Sequence, residues 1–243
     1  MVAGAGVELA YEERGEGPAV LVVHGMAGPS PVLRQVPPAL GSAARVISYD
    51  RRGYGASQAP EPYERTTVQE QAEDAAALLA ALGAAPAFLC GADFGALVCL
   101  DLALRHPRLV RRSVLLGPPL LWLVPQGSEE LAAEREVLEA ALRDGGRADA
   151  IAAWLGPAAD PARLEQAAGC AAAFFADWAG LSTWPATRRE LRGIETSLVV
   201  LDGEREAPAF GAAADALAAL APDARREPGA DPVPALRAMI RGA

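Results

Sequence analysis

The sequence predicts an α/β fold with a mostly parallel sheet flanked by helices. Apolar, β-branched runs recur along the chain, and they are continuous rather than alternating, as in strands that are covered on both faces. Between the second and third runs, a helical pattern begins at Thr66 or Thr67 as N-cap and ends at Gly83. Strand, helix and strand in this order imply right-handed crossovers in one open sheet. The predicted strands are residues 19–23, 44–50, 87–90, 113–117 and 197–201.

The pattern of alternating strands and helices is interrupted in the middle of the chain. Residues 121–190 contain no strand-like run and read as successive helices. We therefore predict an α/β core formed by residues 1–120 and 191–243, with a small helical cap inserted between them. An acidic run from Glu129 to Glu139 is expected to be the exposed face of a cap helix. All four tryptophans lie in the cap, where they either pack it onto the core or form an aromatic wall of the substrate pocket. They are Trp122, Trp154, Trp178 and Trp184.

Composition excludes several classes of function. The chain has 243 residues, 51% of them hydrophobic, and its net charge is -9, so no basic field is available for nucleic acid. All 22 basic residues are arginine, which excludes a lysine Schiff base and a Walker-type phosphate loop. Three cysteines and two histidines show no metal-binding spacing. We expect a cytoplasmic protein that acts on a small molecule, without cofactor, metal or membrane anchor, and a homodimer is possible.

The most informative motif is Gly91-Ala92-Asp93-Phe94-Gly95, which lies between a predicted strand and a predicted helix. In that setting it resembles the nucleophile elbow of the α/β-hydrolase superfamily, where small residues permit a sharp turn that projects one side chain above the sheet. The resemblance puts Asp93 at the nucleophile position. Superfamily members with aspartate there include epoxide hydrolases and haloalkane dehalogenases.

Three further segments resemble the same superfamily in the same order. They are VLVVHGMAG at 20–28, YDRRGYGAS at 49–57 and LVVLDGEREAP at 198–208. Arg51 and Arg52 in the second segment are expected to brace a loop, and contact with an anionic substrate is the alternative. Together with the elbow, these segments extend the resemblance over nearly the whole chain and imply an α/β-hydrolase fold.

The resemblance also implies the roles of several site residues. The backbone N–H groups of Met26 and Phe94 would form an oxyanion hole. Gly25, beside Met26, is expected to line the substrate pocket. The triad acid would fall on Glu206, with Asp202 as the alternative.

The chain departs from the superfamily where the catalytic histidine is expected. A G-x-x-H-x-P segment usually carries that histidine, and residues 229–234 here read GADPVP, which puts Pro232 in its place. Proline cannot accept a proton, so the ordinary triad relay is excluded. His106 lies too far along the helix after the elbow to substitute. His24 either takes part in the chemistry or supports its loop, and Asp231 either approaches the vacant position or lies in a solvated turn.

These features leave three functional hypotheses open. If Asp93 and Glu206 share a pocket with no cation between them, one carboxyl keeps its proton and the pair can do acid/base work, as in a lyase, isomerase or cyclase of specialised metabolism. The second hypothesis is a hydrolase of an epoxide, lactone or ester, with Asp93 as nucleophile or base. The third is a ligand-binding protein that has lost its chemistry.

Overall fold

The predicted α/β fold with a mostly parallel sheet is confirmed by a computed structural model, which describes residues 1–205 and 207–242. The strands are β1 (Val2–Ala3), β2 (Glu8–Leu9), β3 (Tyr11–Arg14), β4 (Ala19–Val23), β5 (Arg45–Tyr49), β6 (Ala87–Ala92), β7 (Val110–Leu116), β8 (Ser197–Leu201) and β9 (Ala224–Arg226). Seven of them form the central sheet in the order β3-β5-β4-β6-β7-β8-β9, while β1 pairs with β2 separately. Within the central sheet β3 is antiparallel to β5, and the pairs from β5 through β9 are parallel.

Helices cover both faces of this sheet. They are α1 (Pro31–Arg34), α2 (Val36–Leu40), α3 (Val68–Ala81), α4 (Phe94–Arg105), α5 (Gly127–Gly145), α6 (Arg147–Leu155), α7 (Pro161–Gly169), α8 (Ala171–Leu181), α9 (Arg188–Leu191), α10 (Pro208–Leu220) and α11 (Val233–Arg241). The crossover helix α3 begins after Thr67, whose side chain accepts the backbone N–H of Glu70. Gly83 follows the end of the helix with φ +57°.

Alternate residues of one strand supply the two cores on either side of the sheet. Every residue of β4 is buried, and Leu21 and Val23 join the larger core, which includes residues of α3, α4 and the cap. Val20 and Val22 point to the other face, where they join a core with residues of α1, α2 and α11. A strand buried in this way has no polar face, and this explains its uninterrupted apolar sequence.

Helices α5 to α8 lie between β7 and β8 in the sequence. The last of them packs into the larger core through the fully buried ring of Phe174. Within the described ranges, no helix has the length and apolar character that crossing a membrane requires.

The parallel strands bring the candidate site together at one edge of the sheet. β4, β6 and β8 all end at this edge, and β6 is the neighbour of β4. Ligand sites of α/β proteins form outside such strand ends. The loops that follow these three strands therefore face one another, and they carry His24, Asp93 and Arg205.

Candidate active site

Asp93 occupies a sharp turn between β6 and α4. Its backbone has φ +53° and ψ -122°, a conformation that is rare for residues other than glycine. The small residues around it are required by packing, because a β-carbon on Gly95 would overlap the carbonyl oxygens of Val23 and His24. The sequence therefore gives the strand-turn-helix geometry expected of an elbow, with the Asp93 carboxylate at its tip.

The two carboxylate oxygens of Asp93 have different partners. Oδ2 accepts the backbone N–H of Met26 at 3.0 Å. Oδ1 accepts a hydrogen bond from Arg205 Nη2 at 2.5 Å. The Met26 N–H, expected to bind a substrate oxygen, thus holds the carboxylate itself. Phe94 is the first residue of α4, so its N–H has no acceptor within that helix.

Arg205 joins Asp93 to a second carboxylate. Its Nη1 donates to Glu134 Oε1 at 2.9 Å and to Oε2 at 3.1 Å. The guanidinium carbon lies 4.0 Å from the ring centroid of Phe210 and 5.3 Å from that of Trp154, so the cation also rests on two aromatic side chains. The acid/base hypothesis required that no cation stand between Asp93 and Glu206. The structure places Arg205 between Asp93 and Glu134, and because Glu206 lies outside the described residues, that condition stays a prediction.

Glu134 reaches this site from the cap helix α5. Its side chain is 15% exposed, and burial raises its pKa despite the opposing charge of Arg205. The expectation that the acidic run from Glu129 to Glu139 is simply an exposed helix face is therefore wrong for Glu134, which is held inward by the guanidinium.

The pocket at Asp93 has mainly apolar walls. Gly25 lines it as expected, and the charged groups around it are Asp93, Arg163, Glu204 and Arg205. Arg163 pairs with Glu204, from Nη2 to Oε2, at 2.6 Å. The apolar lining residues are Met26, Ala92, Leu116, Trp154 and Phe210.

Of the tryptophans expected to line this pocket, Trp154 does so. Trp122 is 45% exposed on the surface. Trp184 is buried elsewhere, and its indole N–H donates to Asp101 Oδ1 at 2.9 Å. Trp178 packs against the larger core instead. The expectation that all four tryptophans line the pocket is therefore wrong for Trp122, Trp178 and Trp184, and only the ring of Trp154 lines it.

His24 supports its loop. Its Nε2 accepts the backbone N–H of Arg51 at 3.0 Å, and its Nδ1 lies 2.8 Å from the carbonyl oxygen of Gly25, which fixes the proton on Nδ1. Burial, followed by the charge of Arg51, lowers the pKa of this imidazole well below its ordinary value. Both ring nitrogens are hydrogen-bonded to backbone groups, so neither is available to exchange a proton with a substrate, and the predicted chemical role of His24 is not supported.

The remaining triad candidates follow β8 and β9 in the sequence. Glu206, the expected acid, lies outside the described residues. The alternative, Asp202, accepts the backbone N–H of Gly229 at 2.7 Å, and this bond lowers the pKa of Asp202. Pro232 stands at the N-cap of α11. Asp231 is exposed and accepts the first N–H of that helix at 2.9 Å. Asp202 and Asp231 thus stabilise the loops in which they lie.

Sequence reasoning missed Arg205 and Glu134. The signal for Arg205 was its place in the loop that the superfamily uses for its acid, one residue before Glu206. Glu134 lacked a comparable signal, because an acidic helix face gives no indication of which carboxylate meets an arginine 71 positions away.

Comparison with known proteins places these findings in context. Residues 18–161 match the family described as the alpha/beta hydrolase fold. An uncharacterised hydrolase of Bacillus subtilis, YraK, is 36% identical over 130 residues, which cover 54% of this chain and 48% of that protein. Bifunctional epoxide hydrolase 2 of Sus scrofa is 35% identical over 117 residues, covering 48% of this chain and 21% of that protein. The chain thus spans less than half the length of these curated relatives.

Solved structures agree over almost the whole chain. An esterase of Exiguobacterium antarcticum superimposes with a TM-score of 0.79 at 17% identity, covering 99% of this chain and 98% of that one. A hydrolase of Pseudomonas aeruginosa superimposes with a TM-score of 0.76 at 25% identity, covering 99% and 94%. The family match includes Asp93 and Glu134 and ends before Arg205 and Pro232, so it does not reach the position where the histidine was expected, and the altered triad stays a prediction.

Proposed function

The chain belongs to the α/β-hydrolase family, and from that premise we propose that it is an enzyme in which Asp93 acts as the general base on a small, mainly apolar electrophile of the epoxide, lactone or ester class. The observation that carries this proposal is the 2.5 Å contact between Asp93 and Arg205. It is joined by the prediction from the resemblance that Pro232 takes the place of the usual histidine. A base other than histidine must then take the proton from water.

The surroundings of the Asp93 carboxylate support its role as the base. Arg205 Nη2 lies 2.5 Å from Oδ1 and supplies the counter-charge of this carboxylate. The Met26 N–H binds Oδ2, and Arg205, which lines the pocket with Asp93, binds Oδ1. A water molecule that displaces one guanidinium contact would meet an oxygen able to accept its proton.

Arg205 also has a part in the transition state. As Asp93 takes up a proton, its attraction for the guanidinium falls, and negative charge develops on the oxygen that leaves the attacked carbon. Arg205 can transfer its hydrogen bond to that oxygen, so its interaction strengthens during the reaction. Glu134 holds the other side of the guanidinium at 2.9 Å and keeps it at the pocket.

The apolar walls support a small substrate with little charge. Leu116, Trp154 and Phe210 line the pocket together with Asp93. Before the reaction Arg163 and Arg205 are each paired with a carboxylate, so neither offers an unpaired cation to a substrate that is itself an anion. A neutral molecule with one polarised carbon-oxygen bond suits these surroundings.

The covalent route is the second candidate, and the elbow geometry of Asp93 favours it. In that route Oδ1 attacks carbon and forms an ester, which water must then cleave. The Sus scrofa relative is named as an epoxide hydrolase, and this agrees with the proposed substrate class. The same base would serve a cyclase or isomerase if the hydroxyl that it activates belonged to the substrate.

Turnover of three probes tests the proposal: styrene oxide, dihydrocoumarin and p-nitrophenyl acetate. Asp93→Asn removes the base and is expected to lower kcat by at least about 100-fold. Asp215→Asn, which changes a carboxylate on α10 that is 70% exposed, is the matched control and should keep its activity. Full activity of Asp93→Asn would contradict the proposal, and an intact mass raised by one substrate would favour the covalent route. Binding without turnover would indicate a ligand-binding protein.

A further inference from the structure

Arg51 is a buried arginine whose hydrogen bonds meet at the edge of the active site. It is 1% exposed, and its guanidinium makes five hydrogen bonds. Nε donates to the carbonyl of His24 and Nη2 to the carbonyl of Gly25, both at 2.8 Å. The other bonds go to Gln71 at 2.5 Å and to both oxygens of Asp177 at 2.6 and 3.2 Å. All five donors of the side chain are therefore used.

One of these bonds determines the direction of the N–H that holds Asp93. The carbonyl of Gly25 and the N–H of Met26 belong to the same peptide unit, and a peptide unit is planar and trans. A hydrogen bond that fixes the Gly25 carbonyl consequently fixes the Met26 N–H, which points the opposite way and donates to Asp93 Oδ2 at 3.0 Å. The Nδ1 of His24 lies 2.8 Å from the same carbonyl oxygen.

Asp177 connects this arrangement to the helices inserted between β7 and β8. It lies in α8 and is fully buried. Besides Arg51, it accepts hydrogen bonds from Tyr54 Oη at 2.7 Å and from Gln71 Nε2 at 2.8 Å, so each carboxylate oxygen has two donors. The guanidinium carbon of Arg51 also lies 4.9 Å from the ring centroid of Phe94, the residue after Asp93. A satisfied buried network of this kind holds its members in one arrangement.

We propose that Arg51 is a positioning residue, which fixes the Gly25–Met26 peptide so that the Met26 N–H holds the Asp93 carboxylate, and that Asp177 couples this peptide to the placement of α8. The effect on turnover rests on the proposed function, whereas the placement of the Met26 N–H does not. The two can therefore fail separately.

The chain offers a matched pair of variants for a test. Arg52 is also 1% exposed and pairs with a buried carboxylate, that of Asp74, at 2.6 and 2.9 Å, but it makes no bond to the loop at Met26. Lysine keeps the charge in either position, but its compact ammonium cannot reproduce the fork that bonds carbonyls and a carboxylate together. Arg51→Lys therefore removes the guanidinium bond to the Gly25 carbonyl and leaves only the bond from His24 Nδ1. Arg52→Lys is the control for the loss of a buried guanidinium.

Amide hydrogen exchange of the Met26 N–H gives the direct readout. In Arg51→Lys this amide should exchange about 10-fold faster or more than in the unaltered protein, and its proton resonance should move upfield as the bond to Asp93 weakens. In Arg52→Lys the exchange rate and the proton resonance of the Met26 amide should both stay unchanged, even if this variant loses as much global stability as Arg51→Lys. An unchanged Met26 amide in Arg51→Lys would overturn the proposal.

A double variant covers the case in which Arg51→Lys does not fold. Arg51→Gln with Asp177→Asn removes both charges together, so that no buried charge is left unpaired. The same change at Met26 is expected in it. On the fastest of the three probes, kcat should fall about 10-fold with KM unchanged. A displaced Met26 amide with full kcat would overturn the positioning role. If the Met26 amide is displaced in the variant but the unaltered protein turns over none of the three probes, the positioning role of Arg51 stands and the proposed function is refuted.

Discussion

Removal of the Arg205 guanidinium should destabilise the protein in a pH-dependent manner. Arg205→Met keeps an apolar chain against Phe210 but leaves the carboxylates of Asp93 and Glu134 facing each other without a cation. Breaking a fully buried ion pair costs about 3–5 kcal/mol. The side chains of Arg205 and Asp93 are 19% and 20% exposed, so solvent screens part of the effect. We expect the free energy of unfolding at pH 7 to fall by about 2 kcal/mol.

Urea unfolding of both proteins at pH 7 and pH 5 measures this loss. It should shrink at pH 5, because burial raises the pKa of Glu134 and a protonated Glu134 no longer repels Asp93. Arg135→Met is the control, since Arg135 pairs with Glu139 on the same cap helix but its side chain is 69% exposed. It should change stability by less than about 0.5 kcal/mol. Equal stability of the two variants, or a loss at Arg205 that does not depend on pH, would refute the reasoning.

Three further results are expected. The pKa of Glu134 is raised, so the stability that its protonated form provides is lost as pH rises above about 4.3, and Glu134→Gln should remove that part of the urea-measured pH dependence. The pKa of His24 is lowered, so stability should fall by up to about 1.4 kcal/mol per pH unit below pH 6.5; His24→Gln should lose this slope and His106→Gln should keep it. Trp154→Phe should raise KM for the probes, whereas Trp122→Phe, on the surface, should leave KM unchanged.

The sheet was readable from sequence because its central strands are buried on both faces. The strands predicted at 19–23 and 197–201 have those bounds in the structure. β9 was missed, since its sequence, ARR, contains no apolar run and lies at the edge of the sheet. Burial on both faces leaves a strong signal in composition, and an edge strand leaves little.

Only part of the candidate site could be predicted from the sequence. The elbow at Asp93 could be predicted, because the small neighbours that its turn needs are present within five consecutive residues. The pairing of Asp93 with Arg205 joins positions 112 residues apart, and that of Arg51 with Asp177 joins positions 126 apart. Such pairs depend on how loops and cap helices pack over the sheet, and no spacing rule in the sequence specifies them.

The origin of the product oxygen tests the role of Asp93 most directly. The experiment is a single turnover in water labelled with oxygen-18, with enzyme in excess over the fastest probe. If Asp93 is a general base, the labelled oxygen of water is incorporated directly into the product. We predict labelled product and an unlabelled Asp93 after this first turnover. Unlabelled product together with oxygen-18 in the Asp93 carboxylate would contradict the account, since it would mean that Asp93 attacks the substrate itself.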